Sequence, residues 1–586
     1  MILRVWSDLP TFREAAFSAG MNVVLADRAE DSEDTESTNG LGKTTLLRII
    51  HFCLGSDLSK DKVLKHSKLK GVIFGIDFGY DGKTISASRN TASPEKVAVS
   101  KSFVSGVDVD GAPLDEARVS LTLESWKSVL TKRFAPSPNA QVLTPSFRDI
   151  AHYLIRLGKP AFSDPLTAFQ GQPGPSKRLT VSYLLGLNWS GQSKLQSLLE
   201  TRSQVDAAIR ALNSAVEATS GEKSIGDLEA ERVALEATIE AKKVEVESFN
   251  LREDYKDLQT GLQRVDSELH RSINDNFSDK RLLEHYQKSA EELPEADPER
   301  PISILRDAGA IFREEALKTL DEVAHFHAEV HRNRSAFLQS EIKRLKKTIK
   351  DRQTGIDELT AEKSRILGLL KSSGALEQLI ELQKNYTELN ARCEALKARI
   401  AERKKFDIRK EELTAEIARE RALMRQDLDD RKMLVDQARL LFAEYSKFLY
   451  GNPGGLAIDI NASGYGFTFT IERGGSDGVD QMVVFCFDLM IATLRARRKQ
   501  GFCTLVHDSA MFADVDPRQY GLALQLAEQK SKLEGFQYIC CLNSGALPTK
   551  HLGDLSIDQC VRLRLSDEGD SGRLLGLRLP PREQTA

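Results

Sequence analysis

Several things are scarce in this 586-residue chain, and each scarcity removes a class of protein. Its seven cysteines, at 53, 393, 486, 503, 540, 541 and 560, are scattered and form no CxxC pair. That spacing argues against a disulfide framework or a zinc site and for reduced thiols in a core. No apolar run reaches the ~18 residues of a membrane span. The opening residues, MILRVWSDLP, lack the charged-then-apolar layout of a secretion signal, so a cytoplasmic protein is expected. Aromatic residues make up only 7% while 29% are charged, the balance of a helix-rich chain rather than a core-rich one. A net charge of −4 leaves no global cationic excess, so any nucleic-acid surface has to be local.

What is abundant is periodicity, and it divides the chain into three. Residues 1–190 and 441–586 mix strand-like and helix-like runs, and 191–440 is almost wholly helical in pattern. Leu258, Leu262, Val265 and Leu269 step alternately by four and three, in register with Leu251 and Tyr255 before them. Leu382, Tyr386, Leu389, Cys393, Leu396 and Ile400 do the same. Between them, Leu338, Ile342, Leu345, Ile349, Ile356, Leu359, Ile366 and Leu370 keep one seam, with Arg352 and Lys363 at two of its positions. This is a heptad pattern flanked by mixed charge. Gly355, Gly368, Gly374 and the Ser372-Ser373 pair predict breaks in the second run. Pro294, Pro298 and Pro301 predict a turn within 276–310, since proline inside a helix costs ~3 kcal/mol. The simplest arrangement is an antiparallel coiled-coil arm, out along 190–275 and back along 310–440, with a turn or tip near 276–330. At 1.5 Å per residue, ~80 residues would reach roughly 120 Å. The competing arrangement is a parallel coil of two chains; it is disfavoured because each globular end looks incomplete.

The first end holds 35-TESTNGLGKTTLLRII-50. The apolar run Asn22–Ala26 precedes it as a buried strand, and the segment Thr45–Leu54, closed by Gly55, follows as a buried helix. Strand, glycine-rich loop and helix are the setting of a phosphate-binding loop. Asn39, Gly40, Gly42 and Thr45 would present backbone to phosphates, Lys43 would reach the outer phosphates, and Thr44 would hold Mg²⁺. Two departures stand out. Ser37 occupies the place of the first glycine, and 27-DRAEDSEDTE-36 sets six carboxylates beside the loop. Further on, the runs 71–78 and 84–88 across Tyr80-Asp81-Gly82 predict a hairpin and an antiparallel β-lobe.

A P-loop ATPase also needs an apolar strand ending in a metal-ordering carboxylate. It appears some 460 residues later, in 502-FCTLVHD-508, with Asp508 as that residue. The run 536-FQYICCLN-543 follows a helix, and Asn543 sits at its C-terminal end, where α/β sheets bind ligands. The two ends thus supply complementary halves of one site.

With these motifs in view, the chain resembles the SMC-like ATPases: an ABC-type P-loop head of the α/β class, formed by the N- and C-terminal segments and split by a long antiparallel coiled-coil arm. The motif 39-NGLGKTT-45 matches that group's loop. The stretches 474-GGSDGVDQMVVFCFDLMI-491 and 507-HDSAMFADVDPRQ-519 resemble, more narrowly, a bacterial family of unassigned function in three-component ABC systems suspected of phage defence. The resemblance implies ATP and Mg²⁺ as cofactors, with Thr44, Asp508 and Gln170 at the metal. It places Ser476 and Gly478 in the signature-like loop that caps the nucleotide of a second head, although the family's Leu-Ser-Gly-Gly is absent. Asp516 takes the D-loop position, Asn543 that of the switch histidine, and Gln170 that of the Q-loop, with Gln172 an equal alternative. It implies a homodimer through ATP-bound heads, duplex DNA and accessory or effector subunits as partners, and a bacterial, nucleoid-associated setting. One departure bears on mechanism: Ser509 stands where such ATPases carry the glutamate that polarises water, leaving His507 or Asp516, or a partner, to assist. A nucleotide-bound scaffold without meaningful hydrolysis is the rival expectation. Local basic clusters for DNA are 343-KRLKKTIKDR-352, 402-ERKK-405 and 495-RARRK-499.

Overall fold

The computed structural model describes residues 1–27, 40–109, 111–136, 143–214, 224–248, 256–291, 314–370, 376–472 and 475–579, with the backbone alone at 60, 212–214, 256, 291, 314–335, 370, 376 and 377. The chain is mixed α/β and forms two compact units. One, the head, draws mainly on 1–197 and 419–586; the other, the arm, on 198–296 and 328–418. The head thus extends past the expected limits of 190 and 440. Lys194 pairs with Glu420 at 2.8 Å, and Arg431 donates to the Gly186 carbonyl at 3.1 Å.

The head's strands run β1 (Ile2–Ser7), β2 (Ala15–Ala16), β3 (Gly20–Asp27), β4 (Ile73–Tyr80), β5 (Lys83–Asn90), β6 (Ser93–Ser100), β7 (Gly111–Pro113), β8 (Arg118–Thr122), β9 (Ile155–Arg156), β10 (Gly455–Asn461), β11 (Gly464–Thr470), β12 (Thr504–His507), β13 (Gln537–Asn543) and β14 (Val561–Ser566). Seven form an antiparallel sheet in the order β2-β1-β4-β5-β6-β8-β7. The expected hairpin is β4–β5. Asp81 and Gly82 both hold positive φ, 50° and 69°, the turn that an Asp-Gly pair favours because its twist matches the strands.

Five strands form a parallel sheet in the order β14-β3-β13-β12-β9. Both neighbours of β3 come from the far end of the chain, so the N-terminal half cannot complete this sheet alone. The interior strands read as mostly apolar rather than alternating, GMNVVLAD and QYICCLN, because a parallel sheet is covered on both faces. One cover is the helix Asp477–Arg497, in which every residue from Gln481 to Arg495 is buried. Five of the cysteines are buried and two half-buried, all as free thiols.

In the arm, the helices Ile225–Glu247 and Lys256–Glu291 pack against Glu314–Leu370 and Leu376–Asp430. Leu262 and Val265 bury against Ile366, Leu228 against Leu396 and Ile400, and Leu235 and Ile239 against Cys393. The ion pairs Glu229–Lys404, Asp266–Lys363 and Asp279–Arg352 advance on one limb as they retreat on the other, which makes the limbs antiparallel within one chain. The two cations in the apolar seam, Arg352 and Lys363, are therefore each matched by an aspartate at 2.5 Å.

Two expectations need correcting. The first limb runs past its expected end at 275, its helix continuing to Glu291 with Asn276 bonding Gln353 across the seam, and the rest of the stretch 276–310 expected to turn lies outside the described residues. Pro294, Pro298 and Pro301 lie outside the described residues. Gly355 and Gly368 do not break the second limb but sit inside a 57-residue helix, where neighbouring seam contacts outweigh glycine's ~1 kcal/mol helix penalty; Gly374 and Ser372-Ser373 fall outside the described residues.

Candidate functional site

Three parallel strands end at one edge of the five-stranded sheet: β3 leads towards the loop of Gly40–Lys43, β12 into Asp508, and β13 into Asn543. Ligands bind at such carboxyl edges because loops there can diverge and helix N-termini point inward. The helix Lys43–Cys53 starts here with no acidic residue in its own first turn, so the positive end of its dipole is presented at this edge. Gly40 and Gly42 hold φ of 90° and 114°. At Gly42 the lack of a side chain is also steric, since a Cβ would run into Leu574. The segment around Leu574 grips the loop: Leu574 N donates to the Leu41 carbonyl at 2.9 Å, and Arg573 to that of Gly40 at 3.3 Å.

Lys43 is buried beneath this loop, and burial lowers its pKa against the opposing pull of Cys541 and Asp508. Thr44 Oγ1 donates to Asp508 Oδ2 at 3.1 Å, so residues 464 apart in sequence touch. Asp508 is itself almost fully buried, and its other oxygen accepts from the Ser509 amide at 2.7 Å. Thr45 is half-buried in the helix's first turn. Asn543, opposite Ala26 in register, has a buried Oδ1 without a partner among the described residues. Asn39 lies outside the described residues.

These donors suit a hard divalent ion beside a phosphate chain. Mg²⁺ takes one or two protein oxygens and completes its shell with phosphates and water. One carboxylate and one hydroxyl are in contact here, and among the described residues no cluster of three His, Cys, Asp or Glu competes for a metal. Thr44 and Asp508 would hold the ion, and the loop amides with Lys43 the phosphates.

Other expected residues stand elsewhere. His507 is fully buried and faces away from Asp508, as alternation along a strand requires. Its Nδ1 lies 3.1 Å from the Tyr538 hydroxyl and its Nε2 3.2 Å from Asp488, and burial lowers its pKa. It is a core histidine and no base for water at Asp508. Asp516 is exposed and caps the helix Pro517–Glu534 by accepting from the Arg518 amide, so it too is committed elsewhere. Of the two Q-loop alternatives, Gln172 is tied inward, accepting from Ala168 N and donating to Tyr153, whereas Gln170 is exposed. Ser476 is the exposed N-cap of the helix Asp477–Arg497, with its hydroxyl unused in capping. At Gly478 a Cβ would strike the Asp514 carbonyl, which accounts for the glycine.

The three arginines of 495–499 are structural, whereas Lys499 is exposed: Arg495 is buried, Arg497 pairs with Glu534 at 2.5 Å, and Arg498 donates to the Leu184 and Leu185 carbonyls. In 402–405, Lys404 pairs with Glu229. On the arm, Lys343, Lys346, Lys347 and Lys350 are exposed. The sequence reading missed Arg156 and Asp488, a fully buried ion pair at 2.7 Å behind the site; an arginine two residues before a glycine carries no local signal of that role.

Residues 445–579 match the family described as "Uncharacterised protein conserved in bacteria (DUF2326)". Over 595 residues the chain is 22% identical to the "Uncharacterized protein YydD" of Bacillus subtilis (strain 168), covering 97% of each. Among solved structures it is similar to an Smc head domain with a coiled coil and joint derived from Pyrococcus yayanosii, at 14% identity and a TM-score of 0.35 over 92% of both chains. It is also similar to an Smc head domain with an extended coiled coil, bound to the C-terminal domain of ScpA and derived from Pyrococcus furiosus, at 12% identity and a TM-score of 0.31, covering 94% of this chain and 91% of that one. No helix among the described residues is long and apolar enough to cross a membrane.

Proposed function

We propose that this chain is an SMC-like ATPase whose head binds Mg²⁺-ATP and, in that state, pairs with the head of a second copy. The observation that carries this reading is the contact of Thr44 with Asp508 beside buried Lys43, at the edge where β3, β12 and β13 end. When bound, the metal offsets phosphate charge and polarises the outer phosphate. The chain's own share is positional. Glycines at 40 and 42 let the backbone amides approach, Lys43 is desolvated so that its ammonium acts in a low dielectric, and Asp508 orients the Thr44 hydroxyl. Ser476, exposed with an unused hydroxyl at a helix N-terminus, is the group offered to the nucleotide of the second head, and Gln170 the exposed glutamine on the home side.

Head pairing and release would be read out by the arm, in contact with duplex DNA and with effector subunits, in a cytoplasmic and nucleoid-associated setting such as phage defence. The exposed lysines of 343–350 form a surface suited to the phosphates of a duplex. Steady-state ATP turnover with and without duplex DNA, beside Lys43→Ala and Asp508→Ala, tests the reading. DNA-stimulated turnover lost in both variants is expected. ATP-driven dimerisation that survives Lys43→Ala in light scattering would sink it.

A second reading is a nucleotide-locked scaffold that docks effectors. It is favoured by Ser509, whose hydroxyl lies 3.3 Å from Asp508 and is no base at neutral pH. Since general-base help is worth about 10²–10⁴-fold, tight ATP binding without turnover is its expected outcome.

A further inference from the structure

Behind the candidate site lies a buried charge cluster that nucleotide binding does not use. Arg156 Nε sits 2.7 Å from Asp488 Oδ2 with both side chains fully buried, and His507 Nε2 approaches the same oxygen at 3.2 Å. The rest of the guanidinium is spent on backbone. One terminal nitrogen donates to the carbonyls of Ala161 and Thr167, at 2.6 and 2.8 Å, and the other to that of Pro165 at 2.7 Å. Three pieces of chain therefore meet on one ion pair: the segment 155–172, which carries Gln170; the helix Asp477–Arg497, which Ser476 begins; and β12, which delivers Asp508.

The first two pieces are tied a second time, to the segment that follows β12, by an exposed lysine and a buried glutamine. Lys159 reaches Asp514 at 2.9 Å and Asp477 at 4.0 Å. Gln481 donates to Asp514 at 3.2 Å and to the Ala510 carbonyl at 3.3 Å, and accepts from the Asp514 amide. One tie alone would leave a pivot, whereas two ties some distance apart along the helix oppose rotation. A buried pair is also hard to separate, because parting it would strand a charge in the core.

We propose that Arg156, Asp488 and Lys159 are positioning residues that make the sheet edge bearing Asp508 and the helix begun by Ser476 one rigid joint. The head's own nucleotide site and the face it offers to a second head are then set together. This rests on the ATP-sandwich reading above and adds to it how the two faces are coupled.

The test separates binding from pairing. Arg156→Met with Asp488→Leu removes both charges without stranding either, and leaves the carbonyls of Ala161, Thr167 and Pro165 without their donor. The double variant is expected to melt below the wild type and, at a temperature where it is folded, to bind a non-hydrolysable ATP analogue with unchanged affinity. Its analogue-driven dimerisation should weaken by about 5- to 150-fold, the usual span of a coupling between sites. Wild-type dimerisation with the analogue overturns the inference. If the double variant does not fold, Lys159→Glu, at an exposed position facing two aspartates, is decisive: weakened pairing at unchanged analogue affinity is expected, and unchanged pairing overturns the inference. Wild-type protein that binds the analogue but never dimerises, or dimerises without it, removes the ATP-sandwich reading and the joint together. Dimerisation in the wild type, lost in Lys43→Ala but intact in the joint variants, removes the joint alone.

Discussion

The head and the arm bury their apolar residues in different ways. In the head, β3 is sandwiched between strands from the other end of the chain, and fifteen consecutive residues of one helix are buried. The parallel sheet there is covered on both faces, so loss of one cover exposes several strands. In the arm, burial is a single stripe along each limb, made of small separate groups such as Leu262, Val265 and Ile366. The arm's stability is a sum of local contacts, and the head's is closer to all-or-none. An apolar stripe specifies that two helices pair. It specifies less well which turn faces which, and in this arm the polar pairs Asp266–Lys363, Asp279–Arg352 and Asn276–Gln353 supply that information.

The contrast can be broken experimentally. The largest effect is expected from Phe485→Ala in the head. Phe485 is fully buried against the rings of His507 and Phe512, and its loss should cost ~3–5 kcal/mol in a single denaturant transition. Leu262→Ala in the arm should cost ~2–3 kcal/mol, near the lower end for buried leucines. Faster hydrogen exchange should appear on the limbs around 258–269 and 359–366 while the head's transition stays in place. An equal drop in the head's transition would show that the units are not separate.

Next, Lys43→Ala should weaken ATP binding by about 100-fold, ~2.7 kcal/mol, without lowering the melting temperature. Calorimetric titration beside a thermal melt reads both; parallel loss of stability would mean that Lys43 is a core residue and no ligand. Replacing Lys343, Lys346, Lys347 and Lys350 with alanine should flatten the salt dependence of duplex binding by a slope of about 3 to 4. An unchanged slope would place DNA elsewhere.

The smallest expected energetic effect is for Asp266→Leu with Lys363→Leu, which should alter arm stability by only ~1 kcal/mol or less, because a largely buried ion pair and an apolar pair are nearly equivalent. What should change is register. Spin-label distances between the limbs should broaden, and a single sharp distance would show that the stripe alone sets the alignment.

Much of this was open to reading because the signals are local. The step of four and three at Leu262, Val265 and Leu269 is a property of one helix. So is the strand-loop-helix order around Lys43, and the Asp-Gly turn at 81–82 needs only its own two residues. Signals that failed were those whose outcome depends on a neighbour. Gly355 and Gly368 look like breaks until a second limb supports them. Arg495, Arg497 and Arg498 look like a cationic patch until Glu534 and the carbonyls of Leu184 and Leu185 take them up. His507, one residue from Asp508, looks available until strand alternation turns it into the core.

The sequence by itself determined the kinds of element, the heptad stripes of the arm, and the presence of a glycine-rich loop before a helix at one end and an apolar strand ending in aspartate at the other. Those follow from periodicity and residue chemistry within short windows. Only the tertiary structure decided that Thr44 touches Asp508, that Leu574 closes over Gly42, and that Arg156 and Asp488 bury a charge pair behind the site. The physical reason is that each of these joins residues more than 300 positions apart. The energy of such a contact depends on what else is excluded from its surroundings, and no local pattern in the chain encodes that.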